Sequence, residues 1–373
     1  MDLVQAVTSE RVKSVTPTVF ADGAQDKVLN IGVIGYGYWG PKLVRNFQEL
    51  PTTRVTMLAD LSPVRLNQVR QAFPAVQVTH NYHELLASPD VDAVVIATPV
   101  STHAPIGLDA LRAGKHVLIE KPLAHTREAG QALVDLAAER GLVLMVGHTF
   151  EYNPAVESLK ELVDSGDIGR VYYINSSRTN LGIFQKDVNV LWDLAPHDIS
   201  IMLYVLGMDP ISVSACGEAY VQPKIPDVAR LTLNFPNQIQ THIHVSWLDP
   251  CKVRRTTIVG SKKMIVYDDV EMQEKIKIYD TGVNRPEHTD NYGEFQLSYR
   301  YGDITIPRIP LHEPLKVECG HFADSILQGK QPRSNGEVGL KVVKILESAD
   351  RSLANGGLQE PIAWDQPIER TVG

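Results

Sequence analysis

Val33-Ile34-Gly35-Tyr36-Gly37-Tyr38-Trp39-Gly40-Pro41 closes an apolar run and opens an amphipathic one. Its glycines fit G-x-G-x-x-G at a strand-to-helix junction. There the first glycine permits a tight turn, the second lets backbone approach a pyrophosphate, and the third lets helix pack on strand. The helix start adds free N–H groups and partial positive charge, and Pro41 suits a first turn that needs no N–H donor. Twenty residues after Gly40, the next apolar run ends at Asp60. A carboxylate there accepts hydrogen bonds from the adenine-ribose hydroxyls and repels a 2′-phosphate, so the expected cofactor is NAD. Arg65, nearby, softens that preference.

Working outward, the pattern strand, turn, amphipathic helix repeats as far as residue 147. Strands are expected over 28–34, 54–59, 93–97, 116–120 and 143–146, with helices over 41–50, 63–72, 105–113 and 127–140. Continuous apolar stretches such as Val94-Val95-Ile96 suit strands covered on both faces. The alternation predicts an α/β Rossmann domain, a doubly wound parallel sheet, over 28–150.

After Phe150 the rhythm changes. A helix over 154–164, a strand from about 170 and a helix around 194–206 precede strands over 211–218, 229–235, 239–247, 255–259 and 264–267. Consecutive strands separated by turn residues predict an α+β domain, 151–373, with a large open and mostly antiparallel sheet. Residues 280–313, rich in Pro, Gly, Tyr and Asp, read as a long irregular excursion. Helices over 314–328 and 337–354 close the chain and could pack back on the first domain. Residues 1–27 hold no continuous apolar run and read as an extension ahead of the fold rather than a secretory signal.

The chain has 373 residues, with 36 Lys+Arg against 44 Asp+Glu, a net charge of -8. That balance argues against sequence-independent nucleic-acid binding, though not against a small anionic ligand in a locally positive pocket. The three cysteines, Cys216, Cys251 and Cys319, form no C-x-x-C pair. A disulfide framework or structural zinc is not expected, and a reducing, cytoplasmic setting is. No apolar run is long enough to span a membrane. His242 and His244 share one strand face, but no third ligand stands near them, so no metal site is expected.

Three further motifs carry chemistry: Thr98-Pro99-Val100-Ser101-Thr102-His103, Glu120-Lys121-Pro122, and Asp193-Leu194-Ala195-Pro196-His197. With the glycine loop, from about residue 28 to 353, they resemble the glucose–fructose oxidoreductase/inositol dehydrogenase family of NAD(P)-dependent sugar oxidoreductases. The resemblance implies that Lys121, His197 and Asp193 are catalytic. His197 takes a hydroxyl proton as hydride leaves carbon, Lys121 assists, and Asp193 orients the pair. An imidazole titrating near neutrality and an ammonium at the carboxyl end of a parallel strand suit those tasks. A cis peptide is expected before Pro122. Pro196 is compatible with a helix only near its first turn.

By the same resemblance Gly35, Gly37, Tyr38, Trp39, Gly40, Asp60, Thr98, Pro99, His103, Glu120 and Lys121 hold the cofactor. Substrate is expected at Asn153, Arg178, Asn189, Asp193 and His197, with Asn180, Arg308 and Lys316 as weaker candidates. The segment with His148 and Glu151 departs from the family's usual pattern, which leaves its substrate contacts open. Ala195-Pro196 replaces the glycine usual in inositol dehydrogenases. The glycine loop and the segment 313–322 look more like the nucleotide-sugar branch, whose members oxidise C3 of UDP-N-acetylglucosamine-type sugars for later amination. Inositol or free-sugar dehydrogenases, NAD-dependent glycosidases and non-catalytic ligand sensors remain alternatives. A homodimer or homotetramer is expected through the open sheet.

Overall fold

The computed structural model describes residues 28–284 and 298–364, so the extension at 1–27 lies outside the described residues. The first half contains β1 (Leu29–Ile34), α1 (Gly40–Glu49), β2 (Thr53–Ala59), α2 (Pro63–Ala72), β3 (Gln77–Thr79), α3 (Tyr82–Ala87), β4 (Ala93–Ile96), α4 (His103–Arg112), β5 (His116–Glu120), α5 (Arg127–Arg140) and β6 (Leu144–Gly147). Its six strands form a parallel sheet in the order β3-β2-β1-β4-β5-β6. β1 and β4 are neighbours without being consecutive, and the loops leaving their carboxyl ends diverge to open a crevice. The glycine loop follows β1 and the Thr98 turn follows β4, so both border it. Sequence reading missed β3 and α3, three and six residues long, because neither is long enough to show a period.

The second half contains α6 (Pro154–Asp164), β7 (Val171–Thr179), α7 (Val190–Leu206), β8 (Ser212–Glu218), β9 (Val228–Asn234), β10 (Gln240–Ser246), β11 (Val253–Gly260), β12 (Met264–Asp268), β13 (Ile276–Asn284), β14 (Ser298–Thr305), α8 (Pro314–Gln328), α9 (Gly336–Ala354) and β15 (Glu360–Pro361). Its sheet runs β14-β13-β12-β11-β7-β10-β9-β8-β15. Only β7 and β10 pair in parallel. Alternate residues such as Ile174, Ser176 and Arg178 on β7 are buried, as are Thr241, Ile243 and Val245 on β10. His242 and His244 fall on the other face, which is partly exposed. Among the described residues no group of His, Cys, Asp and Glu is placed to hold a metal. No helix among them is long and apolar enough to cross a membrane.

Two expectations need correction. The stretch 280–313 is not irregular throughout, since β13 and β14 pair antiparallel, with Val283 opposite Tyr299. Tyr299, Tyr301 and Ile304 are exposed, so these outer strands show no inside–outside alternation for a reader to detect. Helix α7 starts earlier than expected, at Val190, because Asn189 Oδ1 accepts from the backbone N–H groups of Leu191 and Trp192 and caps it. Pro196 therefore lies in the second turn, where it has no N–H for the Trp192 carbonyl.

The closing helices join the two halves. Phe322 of α8 meets Phe47 of α1 edge-on at 6.3 Å between ring centres, and α9 contributes Leu340, Val342 and Val343 to a core shared with Ile119 and Val146.

Candidate active site

A cleft of about 670 Å³ lies between the two sheets, lined by Tyr38, Trp39, Thr98, Pro99, His103, Glu120, Lys121, Asp193, His197, Trp247 and Arg254 among others. Lys121 enters it directly from the carboxyl end of β5, and the Lys121–Pro122 peptide is cis. Its Nζ donates to the Asp193 carbonyl oxygen at 2.7 Å and to Asp193 Oδ1 at 3.4 Å. Asp193 Oδ2 accepts from Trp247 Nε1 at 2.8 Å. One carboxylate thus ties β5, α7 and the end of β10 together, and it fixes the ammonium in the cleft by an ion pair and a charge-assisted hydrogen bond.

His197 stands one helical turn beyond Asp193, with the Phe150 ring edge-on at 5.0 Å. Its Nδ1 is shut from solvent without a hydrogen-bond partner among the described residues. Burial first, then the positive charges of Lys121 and Arg178, push its pKa well below the usual histidine value. The ring is therefore neutral at physiological pH, the form that can accept a proton. His148 behind it is also buried and held neutral, its pKa pushed down to about 3. Burial pushes the Glu120 carboxyl up to about 7. Glu120 Oε2 accepts from Lys121 N at 3.3 Å, and Oε1 has no partner among the described residues.

The glycine loop fits a dinucleotide. A Cβ on Gly35 would lie 2.5 Å from the Ala97 carbonyl oxygen, and one on Gly40 would lie 2.4 Å from that of Gly35. Gly35 also holds φ +97, which disfavours any side chain. A Cβ on Gly37 would meet only open space. Among the described residues no side chain caps α1. Pro41 brings no N–H, and Lys42 N and Leu43 N donate to the Trp39 carbonyl, so the helix start offers an anion its partial positive charge. Asp60 Oδ2 accepts from Tyr36 N and Oδ1 from Ser62 N, each at 2.7 Å, and Arg65 Nη1 lies 3.5 Å away. The carboxylate braces the loop, and Oδ1, with one donor among the described residues, keeps a lone pair for a ribose hydroxyl.

Several residues expected at the ligands are committed elsewhere. Both ring nitrogens of His103 face backbone carbonyls at 2.8 Å, those of Pro122 and Thr98. It borders the cleft, yet its polar atoms tie the two turns rather than reach for a cofactor. Asn189 caps α7 and donates to Asp350. Asn153 caps α6 and donates to Tyr267 Oη and Asp269. Arg178 is buried against Asp198, with its Nε 2.6 Å from Oδ2 and Nη2 3.3 Å from Oδ1, and its guanidinium lies 4.4 Å from the Phe150 ring centre. None of these three lines the cleft. Lys316 pairs with Glu49 on the surface, and neither it nor Arg308 lines the cleft. Sequence reading missed Trp247 and Arg254, because a strand residue's orientation toward a distant helix leaves no local signal.

The Arg178–Asp198 pair makes a stability prediction. Asp198→Ala leaves a buried guanidinium without its partner and removes the acceptor of Ser176 Oγ. The unfolding free energy should fall by about 3–5 kcal/mol in urea titrations. A change near zero would mean that the pair contributes nothing net.

Residues 29–148 match an oxidoreductase family described by its NAD-binding Rossmann fold, and residues 156–266 match the GFO/IDH/MocA C-terminal domain. The scyllo-inositol 2-dehydrogenase (NAD(+)) of Bacillus subtilis is 26% identical, covering 82% of this chain and 86% of that protein. The UDP-N-acetylglucosamine 3-dehydrogenase of Acidithiobacillus ferrooxidans is 34% identical over 55% of this chain and 64% of its own length. In structure, the latter superposes with a TM-score of 0.72 over 88% of this chain and 98% of its own, at 24% identity. A levoglucosan dehydrogenase solved with NADH and L-sorbose gives a TM-score of 0.77 over 91% and 100%, at 20% identity. At these structural identities the likeness speaks for the fold.

Proposed function

The chain belongs to the GFO/IDH/MocA family of NAD-binding oxidoreductases, and from its cleft we propose that it oxidises a secondary hydroxyl of a nucleotide sugar to a ketone. The favoured position is C3 of a UDP-N-acetylglucosamine-type sugar. The observation that carries the chemistry is the convergence of Lys121, Asp193 and His197 in one cleft with the glycine loop. The choice of sugar draws support from the relative that is a UDP-N-acetylglucosamine 3-dehydrogenase and from Pro196 inside α7.

Bound NAD supplies the hydride acceptor. The uncapped start of α1 and Gly37 would hold its pyrophosphate, and Asp60 its adenine ribose. The Lys121 ammonium donates to the substrate oxygen, where negative charge accumulates as the C–H bond breaks. The neutral His197 imidazole takes the hydroxyl proton. With NAD there to supply the hydride acceptor, oxidation of the alcohol to the ketone would leave one proton on His197. Asp193, anchored by Trp247, keeps the ammonium in place.

The reading includes a homodimer or homotetramer through the open sheet, where Tyr173 is exposed. It also includes a reducing, cytoplasmic setting, which suits the free cysteines Cys216, Cys251 and Cys319. The test is incubation with NAD and a panel of UDP-sugars, inositols and free sugars, following NADH absorbance and product mass. Reduction with UDP-sugars alone supports the proposal, and reduction with inositol alone selects the cyclitol alternative. NADH binding without turnover of any panel member overturns the dehydrogenase reading.

A further inference from the structure

Arg254 and Arg178 stand opposite each other on β11 and β7, so both side chains leave the same face of the sheet. Their charges are met very differently. Arg178 has a close, two-point partner in Asp198 and is buried. Among the described residues Arg254 pairs only with Asp269, with Nη1 3.5 Å from Oδ2. That carboxylate also accepts from Tyr267 Oη at 3.0 Å and Asn153 Nδ2 at 3.3 Å, and Lys275 Nζ lies 3.8 Å from it. Arg254 Nε is shut from solvent and has no partner among the described residues. Its side chain is 33% exposed, and it lines the same cleft as Lys121 and His197.

A guanidinium does not lose its proton in a protein, and its planar fork matches a carboxylate or phosphate. Because Nε is enclosed, an anion in the cleft would meet the exposed remainder of the side chain. The charge of Arg254 extends to both ends of the cleft. Behind burial and Lys121 it adds to what opposes protonation of His197, and behind Lys42 it adds to what favours the ionised form of Tyr38 on the glycine loop. Of the three described acidic residues that line the cleft, two are already engaged or neutralised. Asp193 is engaged by Lys121 and Trp247, Glu120 is pushed toward its protonated form, and Asp187 lies on the segment between β7 and α7.

We propose that Arg254 binds an anionic group of the substrate and selects charged over neutral sugars. The inference rests on the sugar-dehydrogenase reading and adds a specificity residue to it. The shared chemistry is a carboxylate or phosphate, from either a uronic-acid sugar or the diphosphate of a nucleotide sugar.

The test compares wild type, Arg254→Gln and Arg254→Lys with UDP-N-acetylglucosamine, its uronic-acid counterpart, free N-acetylglucosamine, glucuronate and myo-inositol as substrates. Arg254→Gln should raise KM for the charged substrates by about 10- to 100-fold, while KM for neutral sugars and the NADH Kd from fluorescence titration stay within threefold, by rough expectation. Arg254→Lys, which keeps the charge and a donor to Asp269, should recover part of the loss. Collapse of discrimination between the two UDP-sugars assigns a carboxylate. Collapse of discrimination between UDP-N-acetylglucosamine and the free sugar assigns the diphosphate. Unchanged KM in folded Arg254→Gln, equal losses for charged and neutral sugars, or a weakened NADH Kd would overturn the assignment. If no sugar is oxidised, the dehydrogenase reading fails separately. Calorimetric titration of the enzyme–NADH complex with UDP and with glucuronate then decides for Arg254: binding by wild type that Arg254→Gln loses supports it, and no binding or no loss refutes it.

Discussion

Lys121→Met should lower kcat by about a hundred- to a thousandfold on whichever sugar the wild type oxidises, while NADH binds with little change. Methionine fills much of the lysine's volume but has no charge and no donor. The ammonium is one hydrogen bond from the Asp193 carbonyl and one ion pair from its carboxylate, so it is already positioned before substrate arrives. A positioned donor acts most strongly when charge develops on the substrate oxygen, and its loss falls on the transition state more than on the bound ground state. The expected pattern is a large fall in kcat with a small change in KM. The variant also leaves Asp193 with Trp247 as its donor, and near-ultraviolet circular dichroism checks that the cleft survives. A correctly folded Lys121→Met enzyme within tenfold of wild type, as a rough threshold, would remove Lys121 from the chemistry.

How much of this was legible in the sequence depended on whether the signal was local. The glycine loop, the Thr98 turn and the end of β5 each announce themselves within a few residues, because βα junctions of a parallel sheet carry the ligand-binding backbone. Asp193 and His197 were also legible, as a spacing of four on one helix. Charged or polar residues on strands and at helix starts were harder to assign. Arg178 and Arg254 are both arginines in strand-like stretches, and only tertiary structure shows that one meets Asp198 closely while the other lacks such a partner. Asn153 was expected at substrate from the family resemblance and Asn189 from its place on the stretch leading into Asp193, and both cap helices. Capping and ligand binding call for the same short side chain, so sequence alone does not separate them.

His197→Asn should lower kcat by about a hundred- to ten-thousandfold and also erase the acidic limb of the pH profile. In the free enzyme burial leads, and Lys121, Arg178, His148 and Arg254 add to it, in opposing a charge on this ring. The folded pKa lies well below 6.5, so the base form persists across the neutral range. As pH falls, kcat/KM, which reports ionisations of the free enzyme, should stay level through 6.5 and drop only when the imidazole finally protonates. Asparagine has nothing to titrate, so the residual activity of the variant should be flat over that interval. Arg254→Gln removes one of the opposing positive charges and should move the limb of the otherwise intact enzyme upward in pH. Stopped-flow measurement of NADH formation from pH 5 to 9 separates these cases. A limb at or above pH 6.5 in wild type, or one that persists unchanged in His197→Asn, would mean that another group accepts the proton.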